Sequence, residues 1–228
     1  MMRNISCFLL VAICLGFVTK MDAQHKRYAI QNGFGIQGGL TQFDIITDNF
    51  TTKANTGWIG GLSAYVDIPH KWYNVSYVIQ LSENSLDVGA SPSGLSESEF
   101  VEYKMLTAQM GLLMHAKLAN RYLTLDFGPM LQYNGELEQK DKTKGNYIIN
   151  GYNNLLVGDL TEISQFNVDG VVGITAGFDN LRLRAHYIYG FTNILNKLND
   201  QQLDVDGNSS GKFKGNQSML AFSVFFLF

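Results

Sequence analysis

The chain has 228 residues, enough for one large all-β domain or two small ones. Charged residues are sparse at 16% and the formal net charge is −3, which excludes the basic signature of a nucleic-acid binder. Glycine is abundant at 23 residues and proline scarce at 3, a balance that favours strands and turns.

The first segment, "MMRNISCFLLVAICLGFVTKMDAQ", opens with Arg3, runs apolar from Cys7 to Val18 and ends in small residues at Ala23. It reads as a secretory signal peptide over residues 1–23, cleaved before Gln24. The apolar run is about 12 residues, short of the ~20 that an anchoring helix needs. A lipoprotein signal at Cys14 is disfavoured by the bulky Ile13. Both cysteines, Cys7 and Cys14, leave with this segment, so the mature chain, residues 24–228, has no disulfide framework. Losing Arg3, Lys20 and Asp22 reduces the 17 basic and 20 acidic residues to 15 and 19, for a mature charge of −4.

Beyond Gln24 the recurring signal is alternation with period two, the mark of strands with one apolar face. The first strand, "YAIQNGFGIQGGLTQF", sets Phe34, Ile36 and Leu40 against Gln37 and Thr41. "GWIGGLSAYVDIP" sets Trp58, Leu62, Ala64 and Val66 against Ser63, Tyr65 and Asp67. "WYNVSYVIQLS" follows, with Tyr73, Val75, Tyr77 and Ile79 against Asn74, Ser76 and Gln80. In "KMLTAQMGLLMHAKLA", Leu106, Met110 and Leu112 oppose Thr107, Gln109, His115 and Lys117. "YLTLDFGPMLQY" places Leu125, Phe127 and Leu131 opposite Thr124, Asp126 and Gln132. "QFNVDGVVGITAGF" places Phe166, Val168, Val172 and Ile174 opposite Asn167, Asp169 and Thr175. "LRLRAHYIYGF" places Leu181, Leu183, Tyr187 and Phe191 opposite Arg182, Arg184 and His186. The last segment, "SMLAFSVFFLF", aligns Leu220, Phe222, Val224, Phe226 and Phe228 against Gln217, Ala221 and Ser223.

A soluble sandwich would also alternate. Here the polar face carries charges such as Arg182, Arg184, Asp126, Asp169 and Lys117, while the other face is almost uncharged on every strand and has aromatic rings near its ends. Each run is long enough to cross a ~25 Å apolar band at a tilt. The connections alternate as well. Short turns at "PHKW", "LANRY" and "DNL" separate four long polar loops, among them "GELEQKDKTKGNYIINGYNNLLVGDL". The expectation is an all-β, eight-stranded antiparallel transmembrane β-barrel with both termini periplasmic and four long extracellular loops. Outer-membrane lipid is then its surrounding medium, and Phe222, Phe226 and Phe228 form its closing strand.

"GFGIQGGLTQFDI", "GWIGGLSAYVDIP" and "RLRAHYIYGFTNIL" resemble the first, second and penultimate strands of the PorT-like outer-membrane barrel family. The aromatic C-terminus is similar to the signal by which barrel-assembly machinery recognises its clients. The resemblance implies a cell outer membrane location and permits a role in protein secretion or envelope assembly. It implies little about activity.

In so narrow a barrel Asp67, His115, Lys117, Asp126, Asp169, Arg182, Arg184 and His186 share one polar lumen, with His115 and His186 near the periplasmic end. The expected arrangement is a plug of ion pairs and hydrogen bonds, with Asp126 meeting Arg184. No G-x-S-x-G, H-E-x-x-H or Cys-His arrangement points to catalysis, and no metal or cofactor is implied. "DVDGNSSG", with Asp204, Asp206 and Asn208, lacks the glutamate of a calcium loop and reads as a solvated turn. In the third long loop Tyr147, Ile149, Tyr152 and Leu155 either form a partner surface or pack within the loop, whose "YIIN" and "NLLV" stretches suit a hairpin above the membrane. The functional expectation is a non-enzymatic scaffold that binds an envelope or secretion protein. A membrane-embedded enzyme acting on lipid or peptide and a narrow channel are the alternatives.

Overall fold

The computed structural model describes residues 30–92, 97–120, 122–178, 180–201, 203 and 212–228. The signal-peptide reading and the "DVDGNSSG" turn lie outside them. Eight long strands follow one another up and down the chain: β1 Gln31–Ile46, β2 Thr52–Asp67, β3 Tyr73–Ser91, β4 Glu99–Ala119, β5 Leu123–Asn134, β8 Phe166–Phe178, β9 Leu181–Gly190 and β10 Asn216–Leu227. Two short strands, β6 Glu138–Gln139 and β7 Ile148–Ile149, lie in the loop between β5 and β8.

Each long strand pairs antiparallel with its sequence neighbour, and β1 pairs with β10 from Gly35↔Leu227 to Ile46↔Asn216. That last ladder closes the sheet into a barrel and leaves no open edge. The C-terminus is pinned there: Phe228 N donates to Phe34 O at 2.7 Å, and Leu227 exchanges two bonds with Asn180. At the β4–β5 turn Asn120 has φ +49°, a left-handed conformation that asparagine tolerates.

Side chains divide as the alternation requires. Leu40, Leu62, Ile79, Leu112, Leu125, Val172, Leu183 and Phe222 point out and are exposed. Their neighbours Thr41, Ser63, Gln80, Leu113, Asp126, Val171, Arg184 and Ala221 point in and are buried. Aromatic rings collect at both rims of the exposed belt. Trp72 and Tyr73, Tyr122 and Phe178, and Phe226 and Phe228 pair at the short-turn end, with ring centroids 5.0–5.9 Å apart. Tyr133 and Phe166 pair at the other rim, 6.3 Å apart. On β5 the two rims are marked by Tyr122 and Tyr133. At about 3.4 Å per residue and a ~45° tilt, that stretch spans roughly 25 Å, the height of a bilayer's apolar band. The outer surface is that of a membrane-spanning barrel.

β3 and β4, of 19 and 21 residues, continue above the long-loop rim as a projecting hairpin. Its edges are covered from the β5–β8 loop, by β7 against Ala90 and Ser91 and by β6 against Tyr103 and Lys104. Ile148 also bridges Leu156, so the "YIIN" and "NLLV" stretches do form a hairpin above the membrane. Ile149, Leu155, Val157, Leu160 and Ile163 are buried beneath this loop. They join Phe50 from the β1–β2 connection and Leu195 and Leu198 from the β9–β10 connection in one apolar core, a cap over the barrel mouth.

Placing arginine at the middle of the outer belt should disrupt the fold in lipid while its inward neighbour should not feel the bilayer. Val172→Arg is expected to cost about 2–4 kcal/mol in urea titrations from vesicles. The loss should shrink in detergent micelles. An equal cost in both media would show that Val172 does not face acyl chains.

Candidate functional site: the filled lumen

The lumen is packed in layers, each built from inward positions of several strands. At the short-turn end Lys117 Nζ meets Asp67 Oδ1 at 3.0 Å and Ile68 O at 2.9 Å. Asn74 donates to the Tyr65 hydroxyl, and the Tyr65 ring lies 5.4 Å from that of His115.

The next layer centres on Asp126, which is fully buried. Its Oδ1 accepts from His115 Nδ1 at 2.7 Å and from Thr124 Oγ1 at 2.6 Å. Its Oδ2 accepts from His186 Nε2 at 2.9 Å and from the Thr175 hydroxyl. Four donors fill the roughly four acceptor positions of a carboxylate. This corrects the expected Asp126–Arg184 pair: the histidines and threonines on β4, β5, β8 and β9 occupy the oxygens that Arg184 would need. Arg184 instead donates from Nη1 to Gln37 Oε1 at 2.7 Å and stacks 3.6 Å from the centre of the Phe225 ring. Gly35 makes room for that ring, since a Cβ there would fall 2.3 Å from a ring carbon. Arg182 lies over Tyr65 at 4.9 Å.

Sequence reading missed the layer above. Gln37 donates to Gln80 at 2.6 Å, Gln80 to Gln109 at 2.7 Å and Gln109 to Gln132 at 2.5 Å. Gln132 and Gln217 exchange amide bonds, and Gln217 donates to Asp169 Oδ2 at 2.9 Å. Five glutamines thus form a belt whose donor direction runs from the Arg184 cation to the Asp169 carboxylate. The signal was present in the sequence, as a glutamine at an inward position on β1, β3, β4, β5 and β10. Higher still, Thr41, Asn84, Thr107 and Asn134 make a second polar ring through bonds of 2.9–3.4 Å. Above it the filling turns apolar with Phe43, Ile45, Leu86 and Met105, which merge with the cap.

All eight charged or titratable residues expected in the lumen therefore face inward. Asp67 and Lys117 sit at its rim, and Asp169 stands at the far end of the glutamine belt from Arg184. Among the loop residues, Ile149 and Leu155 are fully buried, and Tyr152 stacks on Phe213 at 6.2 Å. They pack within the cap and form no partner surface. Tyr147 packs against the same core. Cap chemistry available to solvent is charged instead: Lys140 pairs with Glu102 at 2.7 Å, and Lys144 with Glu99. The Lys144 hydrogen bond holds the Glu99 carboxyl below its usual range, against the opposing effect of burial. Beneath them the Tyr103 hydroxyl donates to Val157 O at 2.7 Å, and burial pushes its ionisation upward.

One arrangement has the order of a nucleophile relay. Ser76 Oγ lies 2.7 Å from His115 Nε2, while His115 Nδ1 faces Asp126. The proton belongs on Nδ1, so Nε2 can accept from the serine. Ser76 is only 1% exposed and the carboxylate is shared with His186, so the relay is closed to solvent in this structure. Among the described residues no group of three or more His, Cys, Asp or Glu is arranged to hold a metal.

No protein-family model and no curated protein matches the sequence. Solved structures with a similar course of the chain include Neisserial surface protein A (NspA). It is 12% identical, with a TM-score of 0.49, and the match covers 86% of this chain and 97% of that one. Another is Ail, the attachment invasion locus protein of Yersinia pestis, solved in complex with the heparin analogue sucrose octasulfate. It is also 12% identical, with a TM-score of 0.43, covering 87% of this chain and 99% of that one.

Removing the Asp126 carboxylate should be the costliest lumen change, because four buried donors lose their acceptor together. Asp126→Ala is expected to cost about 3–5 kcal/mol in urea unfolding followed by Trp58 and Trp72 fluorescence. Thr124→Val, which removes one of the four donors, should cost about 1 kcal/mol. Equal effects would contradict Asp126 as the shared acceptor.

Proposed function

We propose that the protein is a non-enzymatic outer-membrane barrel that acts as a scaffold and presents its rigid loop cap to an envelope or secretion partner. The observation that carries this reading is the filling of the barrel from end to end. Polar layers occupy the lower lumen and an apolar core stoppers the mouth. A barrel filled in this way has two surfaces left to act with, the lipid belt and the outside of the cap. The reading of residues 1–23 as a signal peptide supports the location. The alternation of short turns with long loops supports periplasmic termini, the orientation usual for such barrels. The resemblance to the PorT-like family supports a place in secretion or envelope assembly. The aromatic residues Phe222, Phe226 and Phe228 on the closing strand fit recognition by barrel-assembly machinery.

The Ser76–His115–Asp126 order favours a second reading, a hydrolase acting on lipid or peptide. The two readings separate cleanly. For the scaffold, tagged protein drawn in mild detergent from native outer membranes should bring down one stoichiometric envelope protein, identified by mass spectrometry. That partner should be lost when the exposed cap lysines are reversed by Lys140→Glu with Lys142→Glu, which leave the cap core untouched. Recovery of a lone barrel, or retention of the partner by the double variant, would count against the cap as the docking surface. For the hydrolase, a fluorophosphonate probe would have to label wild-type protein and spare Ser76→Ala. The scaffold reading expects no label on either.

A further inference from the structure

The two guanidinium groups of β9 are buried without a carboxylate of their own. Arg182 and Arg184 are 4% and 3% exposed. The nearest acid in their layer, Asp126, has both oxygens filled by histidine and threonine donors. Among the described residues Arg182 Nε, Arg184 Nε and Arg184 Nη2 meet no acceptor. Neither does Ser63 Oγ, which is also buried. These atoms belong to one neighbourhood. Ser63 pairs with Gly35, Gly35 is covered by the Phe225 ring, and that ring stacks on Arg184. Tyr65, two residues beyond Ser63, carries Arg182 on its ring.

Charge accounting points the same way. In the short-turn half of the lumen Lys117 is neutralised by Asp67, and Asp126 offsets one arginine. His115 and His186 each give one ring N–H to Asp126. One positive charge remains. Asp169 lies four positions from Gly173, the residue paired with Asp126, so it is roughly 13 Å away along β8 and is held by Gln217. A buried charge without a close counter-charge, and buried N–H groups without acceptors, are both costly. An acceptor-only group of charge −1 would answer both at once.

We propose that Arg182 and Arg184, with the Ser63 hydroxyl, form a binding site for a small monovalent anion of halide size inside the barrel. The rings of Tyr65 and Phe225 flank the two guanidinium groups, and a compact ion is the kind that such close-packed surroundings would admit. A dianion would overshoot the single excess charge. Such an ion would be a structural ligand of the folded barrel, adding stability in proportion to its concentration over its dissociation constant.

The test uses the full refolded barrel in zwitterionic detergent, at constant ionic strength, with sodium gluconate replaced stepwise by sodium chloride or bromide. The unfolding temperature should rise saturably in both halides, and diffraction at the bromine edge should place a peak against both guanidinium groups. Arg182→Met should abolish the rise. Should that variant fail to fold, Ser63→Ala keeps both cations and should weaken the halide response. An unfolding temperature equal in all three salts would overturn the proposal. So would a halide-induced rise that persists undiminished in the variants, or a bromine map empty at the arginines.

Discussion

The ladder between β1 and β10 is the constraint on which the rest depends. In a bilayer an unpaired strand edge is prohibitively costly, because hydrocarbon offers its N–H and C=O groups no partner. Closure satisfies every strand laterally and then dictates where side chains go. Eight strands leave an interior that side chains can fill and little else. One parity of each strand must suit lipid and the other must fill the lumen, and a one-residue slip would exchange them. The pinning of Leu227 and Phe228 to Asn180 and Phe34 fixes that register at its last opportunity.

Filling the lumen poses a second problem, which the sequence solves mainly with neutral groups. A carboxylate and a guanidinium facing each other would each lose their hydration, and their attraction often fails to recover that cost. Amides lose less, and each is both donor and acceptor. The glutamine belt therefore links five strands with one residue type, and only its ends, Arg184 and Asp169, are charged. Asp126 shows the complementary solution, a carboxylate surrounded by four hydrogen-bond donors. Apart from the Lys117–Asp67 pair at the rim, ionic groups are thus spread along the lumen instead of being paired across it.

Much of this was legible in the sequence, and the limits are instructive. Period-two alternation with charges confined to one face located all eight strands and their outward residues. Connection lengths gave the up-and-down order. Side-chain partners were less accessible. Asp126 was matched to Arg184 by charge alone, whereas the actual partners are set by register: Asp126 faces His115 across β4 and Gly173 across β8, two positions from Thr175. Ser76 and the glutamines were placed on inward faces, but their network was not foreseen because hydroxyls and amides carry no charge to mark partners. The cap stayed open between two readings for another reason. Tyr147, Ile149, Tyr152 and Leu155 lie in a polar loop, and their burial depends on Phe50, Leu195 and Phe213, which come from other connections far away in sequence.

The cap also explains why β3 and β4 can outgrow the membrane. A two-stranded hairpin projecting into water is marginal on its own, and its free edges invite pairing with other chains. The β5–β8 loop answers both difficulties by adding a short strand to each edge and folding its apolar residues underneath. In return the hairpin gives that loop a rigid template, so a connection of this length holds one conformation. The apolar core beneath the cap is continuous with the upper lumen through Phe43, Ile45 and Met105. Cap and barrel are therefore one packed body.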